Sequence, residues 1–315
     1  MELEKIIRNS QDFLSLQQEL KQGSFSKSVL LITKDEQYSF EFSLLLASLI
    51  FNKGEIEENE HYQKTISLCH PDLKCYPLKD KIMVADSDSI VEESSIKPIF
   101  ADKKVFIIKK IDNAMEQAQN KLLKTLEEPA NNVYFILTTK NINQVLPTIR
   151  SRCSKIELKK LSQKTIDSLG DFDGLVSGLC DGYAGKAIVL SQKQNLQKLF
   201  DSTLSVITNL KNSKRLLAYS KELASFKDDF SLIIEIMLVI FEDMLFIKVG
   251  KKNKVRLKDY VQKIQEVEGE YTIGAIAEIR KLLDEAVKEM QFNCNFTLVI
   301  ENLLLNILEV KFVCR

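Results

Sequence analysis

The chain has 315 residues, which is too long for one ordinary hydrophobic core and predicts two or three domains. Its hydrophobic fraction is 45% and its charged fraction 28%, which excludes collagen-like, low-complexity and disordered compositions. Lysine plus arginine and aspartate plus glutamate number 44 each, so the formal net charge is zero and no overall positive field favours nonspecific binding to nucleic acid.

We expect a cytoplasmic protein, because the first residues lack the basic stretch and apolar run that a signal peptide requires. The most apolar window, residues 230–250, is interrupted by Glu235, Glu242 and Asp243, which predicts a buried helix rather than a membrane span. The chain has six cysteines, and without a secretory signal these predict reduced thiols rather than a disulfide framework.

The N-terminal half alternates between strand and helix patterns. Three short apolar runs predict strands that are buried on both faces of a parallel sheet, namely Ser28–Thr33, Lys104–Lys110 and Val133–Thr139. Helical spacing in Phe42–Phe51 predicts a helix packed on this sheet. Repetition of this order implies right-handed crossovers and an open α/β sheet, whose functional loops lie at the carboxyl ends of the strands.

A second amphipathic helix is predicted before the third strand. Its apolar face comprises Met115, Ala118, Leu122, Leu123 and Leu126. We expect Asp112 or Asn113 to cap its first turn, since short polar side chains accept hydrogen bonds from free N–H groups there. Pro129 should end the helix, because proline lacks an N–H and clashes with the preceding turn.

The loop after the first strand lacks the features that hold a phosphate. A phosphate loop reads G-x-x-x-x-G-K-[ST], since glycines let backbone N–H groups surround phosphate and the lysine pairs with it. Residues 34–41 contain no glycine, and Ser39 stands where the lysine is expected. Asp35 and Glu36 would also repel a triphosphate.

A second requirement for ATP hydrolysis fails at the next predicted strand. Carboxylates should follow it to bind Mg²⁺, but the chain has Lys109 and Lys110, which cannot ligate a metal ion. The two failures together predict that the chain has no nucleotide cofactor and does not hydrolyse ATP.

Several stretches resemble the AAA+ clamp-loader family of bacterial DNA polymerase III. The most specific are NKLLKTLEEP at 120–129, FILTT at 135–139 and LPTIRSRC at 146–153. The similarity continues in HPDL at 70–73, DGYAGKAIVL at 181–190, FEDMLFIKVG at 241–250 and NCNFTLVIENLLLNIL at 293–308. It is weakest in 52–68 and 192–230.

The resemblance implies an α/β domain followed by two helical domains. Residues 1–158 would form a degenerate AAA+ domain, like a P-loop NTPase with a mostly parallel sheet. Residues 159–205 would form a small all-α lid domain, and residues 206–315 an all-α collar domain that joins an oligomer. Beyond residue 192 the sequence has long helical stretches and no strand-like alternation, which agrees with this division.

The resemblance also implies a role for Arg152. In this family a serine-arginine-cysteine motif, here Ser151, Arg152 and Cys153, presents its arginine in trans to the ATP of the neighbouring subunit. A guanidinium group suits this role because it stays charged and meets phosphate oxygens with fixed donors. The structural alternative is a surface arginine paired with a local carboxylate. Thr139 and Lys186 match sensor positions of active relatives, and we expect only structural roles for them.

The sequence departs from the family pattern before His70, where related subunits carry a four-cysteine zinc module. Only Cys69 and Cys75 lie nearby, together with His61 and His70. Their spacing matches no strong zinc signature, so we expect no metal site and ordinary reduced cysteines. The resemblance implies that the module has been lost from the shortened region 52–68.

The function implied is that of a non-hydrolysing structural subunit of the clamp loader, within the polymerase holoenzyme but itself neither polymerase nor ATPase. The expected partners are the gamma/tau ATPase subunits and the delta subunit in a hetero-pentamer, with the sliding clamp and primed DNA bound through the complex and no membrane. Two alternatives stay open. An ATPase-active motor subunit would bind labelled ATP alone, and a DNA-binding adaptor outside a ring would show salt-sensitive DNA affinity alone.

Overall fold

A computed structural model describes residues 2–77, 81–170, 172–292 and 294–313. The N-terminal part is built on one five-stranded parallel sheet, and the elements described after this sheet are helices. The predicted fold class, an α/β domain followed by helical domains, is therefore confirmed.

The chain divides into two compact units. The first comprises Met1–Gly170 and Gly182–Lys186, and the second comprises Asp171–Asp181 and Ala187–Arg315. The finer division into 1–158, 159–205 and 206–315 stays a prediction.

The sheet belongs to the first unit. Its strands are β1 (Ser28–Ile32), β2 (Leu73–Tyr76), β3 (Lys104–Ile108), β4 (Val133–Thr139) and β5 (Ser154–Glu157). They lie in the order β2-β3-β4-β1-β5, and all neighbouring pairs are parallel. Every residue of β3 is buried, as expected for a strand covered on both faces. The three predicted strands are confirmed, and the first two end one or two residues earlier than predicted.

Helices cover this sheet, and their apolar side chains pack with those of the strands to form the hydrophobic core. Those of the first unit are α1 (Glu2–Arg8), α2 (Gln11–Gln22), α3 (Glu36–Phe51), α4 (Glu60–Ile66), α5 (Val84–Ser94), α6 (Glu116–Glu127), α7 (Pro147–Arg150) and α8 (Gln163–Asp167). One core cluster includes Ile90 of α5, Leu122 of α6 and Phe106 of β3. The rings of Phe106 and Phe135 stack there, with centroids 5.2 Å apart. Burial of these large side chains stabilises the unit and fixes the loops at the carboxyl ends of the strands.

Two predicted helix starts are wrong. Helix α3 begins at Glu36 rather than Phe42, because the carboxylate of Asp35 caps its first turn. Helix α6 begins at Glu116, and neither expected residue caps it, because both lie in a 3-10 turn that precedes it. The carboxylate of Asp112 instead accepts the backbone N–H groups of residues 140 and 141, at 3.1 and 3.0 Å.

The remaining helices are α9 (Gly174–Cys180), α10 (Ala184–Ser191), α11 (Leu196–Asn209), α12 (Leu216–Ala224), α13 (Phe230–Lys248), α14 (Val261–Glu268), α15 (Ile273–Gln291) and α16 (Phe296–Val313). Helix α13 contains the most apolar window, and it is packed in the interior as predicted. Its buried Asp243 accepts the backbone N–H groups of Arg256 and Leu257, at 3.0 and 2.8 Å. Across the described residues, every helix falls short of the length and apolar character needed for a membrane span.

Candidate functional site

The loop between β1 and α3 lies at the carboxyl end of the sheet, where open α/β folds bind phosphate with the N terminus of a helix. In this chain the buried carboxylate of Asp35 occupies that N terminus. Its Oδ1 accepts the N–H of Tyr38 at 3.1 Å, and its Oδ2 accepts the N–H of Gly185 at 2.8 Å. One N–H group of the α3 N terminus is therefore already bound to a negative side chain, which would also repel a phosphate.

Gly185 makes this arrangement possible. A Cβ atom at this position would lie 2.4 Å from Oδ1 of Asp35 and 2.8 Å from the backbone nitrogen of Tyr38, closer than real Cβ contacts. Burial raises the pKa of Asp35, although the backbone N–H groups of Tyr38, Gly185 and Lys186 and the charge of Lys186 oppose the rise. The positive charge of Lys186 thus acts on this carboxylate, and its structural role stays a prediction.

A cluster of opposite charges lies beside the same loop. The carboxylate of Glu36 is 2.7 Å from Nζ of Lys110 and also pairs with Lys140. Burial alone would raise the pKa of Glu36, but the two ammonium groups outweigh burial and hold the pKa below its usual value. Lys110 follows β3, where metal-binding carboxylates would stand, so this place carries a positive charge instead.

A cavity of about 480 Å³ opens beside this cluster. Its described lining includes Phe40, Lys81, Lys109 and Lys110, with Glu36 as the one carboxylate. The ammonium group of Lys109 lies over the ring of Phe40, 4.9 Å from its centroid. One carboxylate that already pairs with two lysines is a poor donor set for Mg²⁺, which usually takes carboxylates together with phosphate oxygens.

The serine-arginine-cysteine motif connects α7 to β5. Ser151 donates a hydrogen bond from Oγ to the carbonyl oxygen of Thr148, at 3.0 Å. Cys153 is buried, and burial raises the pKa of its thiol to about 12. The thiol therefore stays protonated at neutral pH and packs as a small apolar side chain.

Arg152 is held at the surface by two contacts. Its Nη2 donates to Oε2 of Glu127 at 2.8 Å, and its Nη1 donates to the carbonyl oxygen of Thr148 at 3.0 Å. The side chain is 28% exposed, and each terminal nitrogen retains a second N–H. Pairing with a local carboxylate is thus present, while the guanidinium group stays accessible. The trans role stays a prediction.

Thr139 ends β4 and is buried. Its carbonyl oxygen accepts the N–H of Thr33 at 3.0 Å, and its hydroxyl oxygen accepts the N–H of Asn141 at 3.2 Å. The first contact extends the pairing of β1 with β4, and the second closes a local turn. The structural role of Thr139 stays a prediction.

The four residues considered for a metal site come together only in part. Nδ1 of His61 and Nε2 of His70 are 3.0 Å apart, so these nitrogens hydrogen-bond to each other rather than face a shared ion. Cys69 is exposed, and Cys75 is half-buried with a pKa raised by burial to about 11. In the described ranges, no three or more histidine, cysteine or acidic side chains gather as metal ligands would.

Comparisons with known proteins bear on this site. Residues 9–162 match the family model described as DNA polymerase III, delta subunit. The chain is 26% identical to DNA polymerase III subunit delta' of Bacillus subtilis (strain 168), an alignment that covers 76% of this chain and 77% of the relative. It is 25% identical to DNA polymerase III subunit gamma of Buchnera aphidicola subsp. Schizaphis graminum, over 66% and 67% of the two chains.

The fold is shared with a solved structure. The crystal structure of a DNA polymerase III, gamma subunit-related protein from Thermotoga maritima aligns with a TM-score of 0.52 at 20% identity, covering 94% of this chain and 99% of that one. Residues 9–162 thus match the clamp-loader family of DNA polymerase III, as the resemblance predicted. Within that family it is similar to the delta' subunit of Bacillus subtilis along about three quarters of each chain.

Proposed function

We propose that this protein is a non-hydrolysing structural subunit of the DNA polymerase III clamp loader, working in the cytoplasm to help place the sliding clamp on primed DNA. The carboxylate of Asp35 carries this proposal, because it fills the place where an active subunit binds phosphate. Lys110, which follows β3, also supports this proposal, since an ammonium group cannot bind the metal ion that accompanies ATP.

Arg152 would act on the ATP of a neighbouring ATPase subunit. Its guanidinium group is partly exposed, and its free N–H groups can reach phosphate oxygens outside this chain. Charge that develops during phosphoryl transfer is stabilised by such a group. Ser151 and Cys153 would support the motif by fixing the backbone on either side of it.

The last helix supports assembly with other subunits. Leu298, Leu305 and Phe312 are 64%, 39% and 48% exposed, and they recur every seven residues along α16. Seven residues make almost two helical turns, so the three side chains lie along one side of the helix. We assign this stripe, Leu298–Leu305–Phe312, to packing in a collar with the gamma/tau and delta subunits of a hetero-pentamer.

The test is Arg152→Ala in the reconstituted clamp loader. We expect assembly to persist and ATPase turnover with clamp and DNA to fall, because the served ATP site loses about 10³-fold in rate when such an arginine is absent. Total ATPase turnover should fall by the fraction that the served ATP site contributes to it.

Lys159→Ala is the matched control, since it removes an exposed positive charge seven residues away on the same segment. It should leave turnover unchanged. A complex of normal mass in which Arg152→Ala turns over ATP at the wild-type rate would exclude the trans role.

A further inference from the structure

Glu127 bears directly on what Arg152 can do. It is the last residue of α6, just before Pro129, and its side chain is 55% exposed. Its carboxylate reaches across 25 positions of sequence to the guanidinium group, at 2.8 Å. The ion pair therefore joins the end of α6 to the motif that follows α7.

The contacts of Arg152 leave some N–H groups of its guanidinium group without an acceptor. Glu127 takes one N–H of Nη2 and the carbonyl of Thr148 takes one N–H of Nη1. Nε of Arg152 is buried and has no hydrogen-bond partner in the part of the chain that the structure describes. A buried N–H without a partner weakens this position relative to one in which all donors are bound.

The ion pair also changes the charge that an incoming phosphate meets. A carboxylate at hydrogen-bonding distance offsets the positive charge of Arg152, and it repels a triphosphate that approaches the same nitrogens. Ion pairs between exposed side chains contribute little to stability, so a phosphate can displace the carboxylate at low cost.

We propose that Glu127 holds Arg152 in a resting position, and that Arg152 exchanges this carboxylate for the ATP phosphates of the neighbouring subunit. This inference rests on the proposed trans function. Glu127 is then a positioning residue that restrains hydrolysis until the neighbouring site is close enough to compete. Loss of its charge releases the arginine early.

The experiment compares Glu127→Gln with Glu128→Gln in the reconstituted clamp loader. Glu128 is adjacent and exposed, and among the described residues its side chain forms no ion pair, so it is a matched control. Without clamp and DNA, Glu127→Gln should raise kcat for ATP about threefold to fivefold, with KM for ATP unchanged. Glu128→Gln should leave both parameters at the wild-type level.

A double variant separates restraint of Arg152 from a general structural effect. In an Arg152→Ala background, Glu127→Gln should change nothing, because the group that it releases is absent. If Arg152→Ala lowers turnover but Glu127→Gln alone leaves it unchanged or lowers it, the restraint is overturned and the trans role stands. If Arg152→Ala has no effect, the proposed function itself fails, whatever Glu127→Gln does.

Discussion

Asp72 shows how a single side chain can hold a loop of the first unit. Its carboxylate accepts the backbone N–H groups of Ile99, Phe100 and Ala101, each at 2.7 Å. Burial alone would raise the pKa of Asp72, but these three donors outweigh burial and hold the pKa below its usual value. The loop that leads into β3 therefore has a fixed path, although Ile99 itself is exposed.

We expect Asp72→Ala to lower the free energy of unfolding by about 2–4 kcal/mol, because three N–H groups lose a charged acceptor. Urea denaturation followed by circular dichroism measures this. Asp102→Ala is the control: Asp102 is exposed and pairs only with Lys53 among the described residues, so its loss should leave stability close to that of the wild type. Equal effects of the two changes would contradict the assigned role.

Residue by residue, the sequence predicted the motif around Arg152 but not its partner. The ion pair to Glu127 depends on how α6 and α7 pack, and no local pattern encodes it. The helix-capping role of Asp35 could have been predicted from the sequence, because an aspartate before an apolar helical run is a common helix cap. From the sequence we interpreted only the negative charge of Asp35. Its second contact, to Gly185, joins two residues 150 positions apart in the sequence, so it can be identified only from the folded structure.

Among the elements, α16 offers the clearest test of assembly. Leu298→Asp and Leu305→Asp, made together, place charge on the exposed stripe of this helix while leaving its buried side untouched. We expect the isolated chain to keep its stability within about 1 kcal/mol and the clamp loader to assemble at least tenfold more weakly. Light scattering of the mixed subunits gives the mass of the complex.

Leu217→Asp is the control for this test. Leu217 is 56% exposed and belongs to α12, so the same substitution adds the same charge outside the stripe. It should leave assembly unchanged. Equal weakening by both variants would mean that added negative charge, rather than the stripe, disrupts the complex.

Elements with strong patterns were predictable, and short or capped ones were not. The three predicted strands are continuous apolar runs, so burial determines them locally. Strand β2 was missed, because it has four residues, LKCY, and lies at the sheet edge where the apolar pattern is weak. The start of α6 was misplaced, because Asp112 serves a tertiary contact instead of the helix.

For the molecule as a whole, the pair His61 and His70 makes stability depend on pH. Nδ1 of His70 accepts the N–H of Asp72 at 3.1 Å, so its proton is on Nε2, facing His61. The ring stacks on Phe51 with centroids 3.9 Å apart. Burial lowers the pKa of His70 to about 4, with the charges of His61 and Lys64 adding to the effect and that of Asp72 opposing it.

This pKa fixes the sign of the pH dependence. The unfolded chain, with a histidine pKa near 6.5, takes up a proton before the folded chain does, so stability is full above pH 6.5 and falls as the pH drops towards 4. We expect a loss of about 1–2 kcal/mol between pH 7.5 and pH 5 in urea denaturation. His70→Phe should reduce this dependence of stability on pH. An unchanged pH dependence in that variant would show that other groups cause it.

The hydrogen bond between Asp35 and Gly185 has a consequence for movements that depend on nucleotide binding. An ordinary nucleotide subunit cycles through loaded, spent and vacant forms, and each form can adopt its own shape. Here the anion is a side chain, which is covalently attached and cannot leave, so these two hydrogen bonds do not depend on a bound nucleotide. Under the proposed function, we expect the movements that open and close the clamp to begin in the ATPase subunits rather than in this chain.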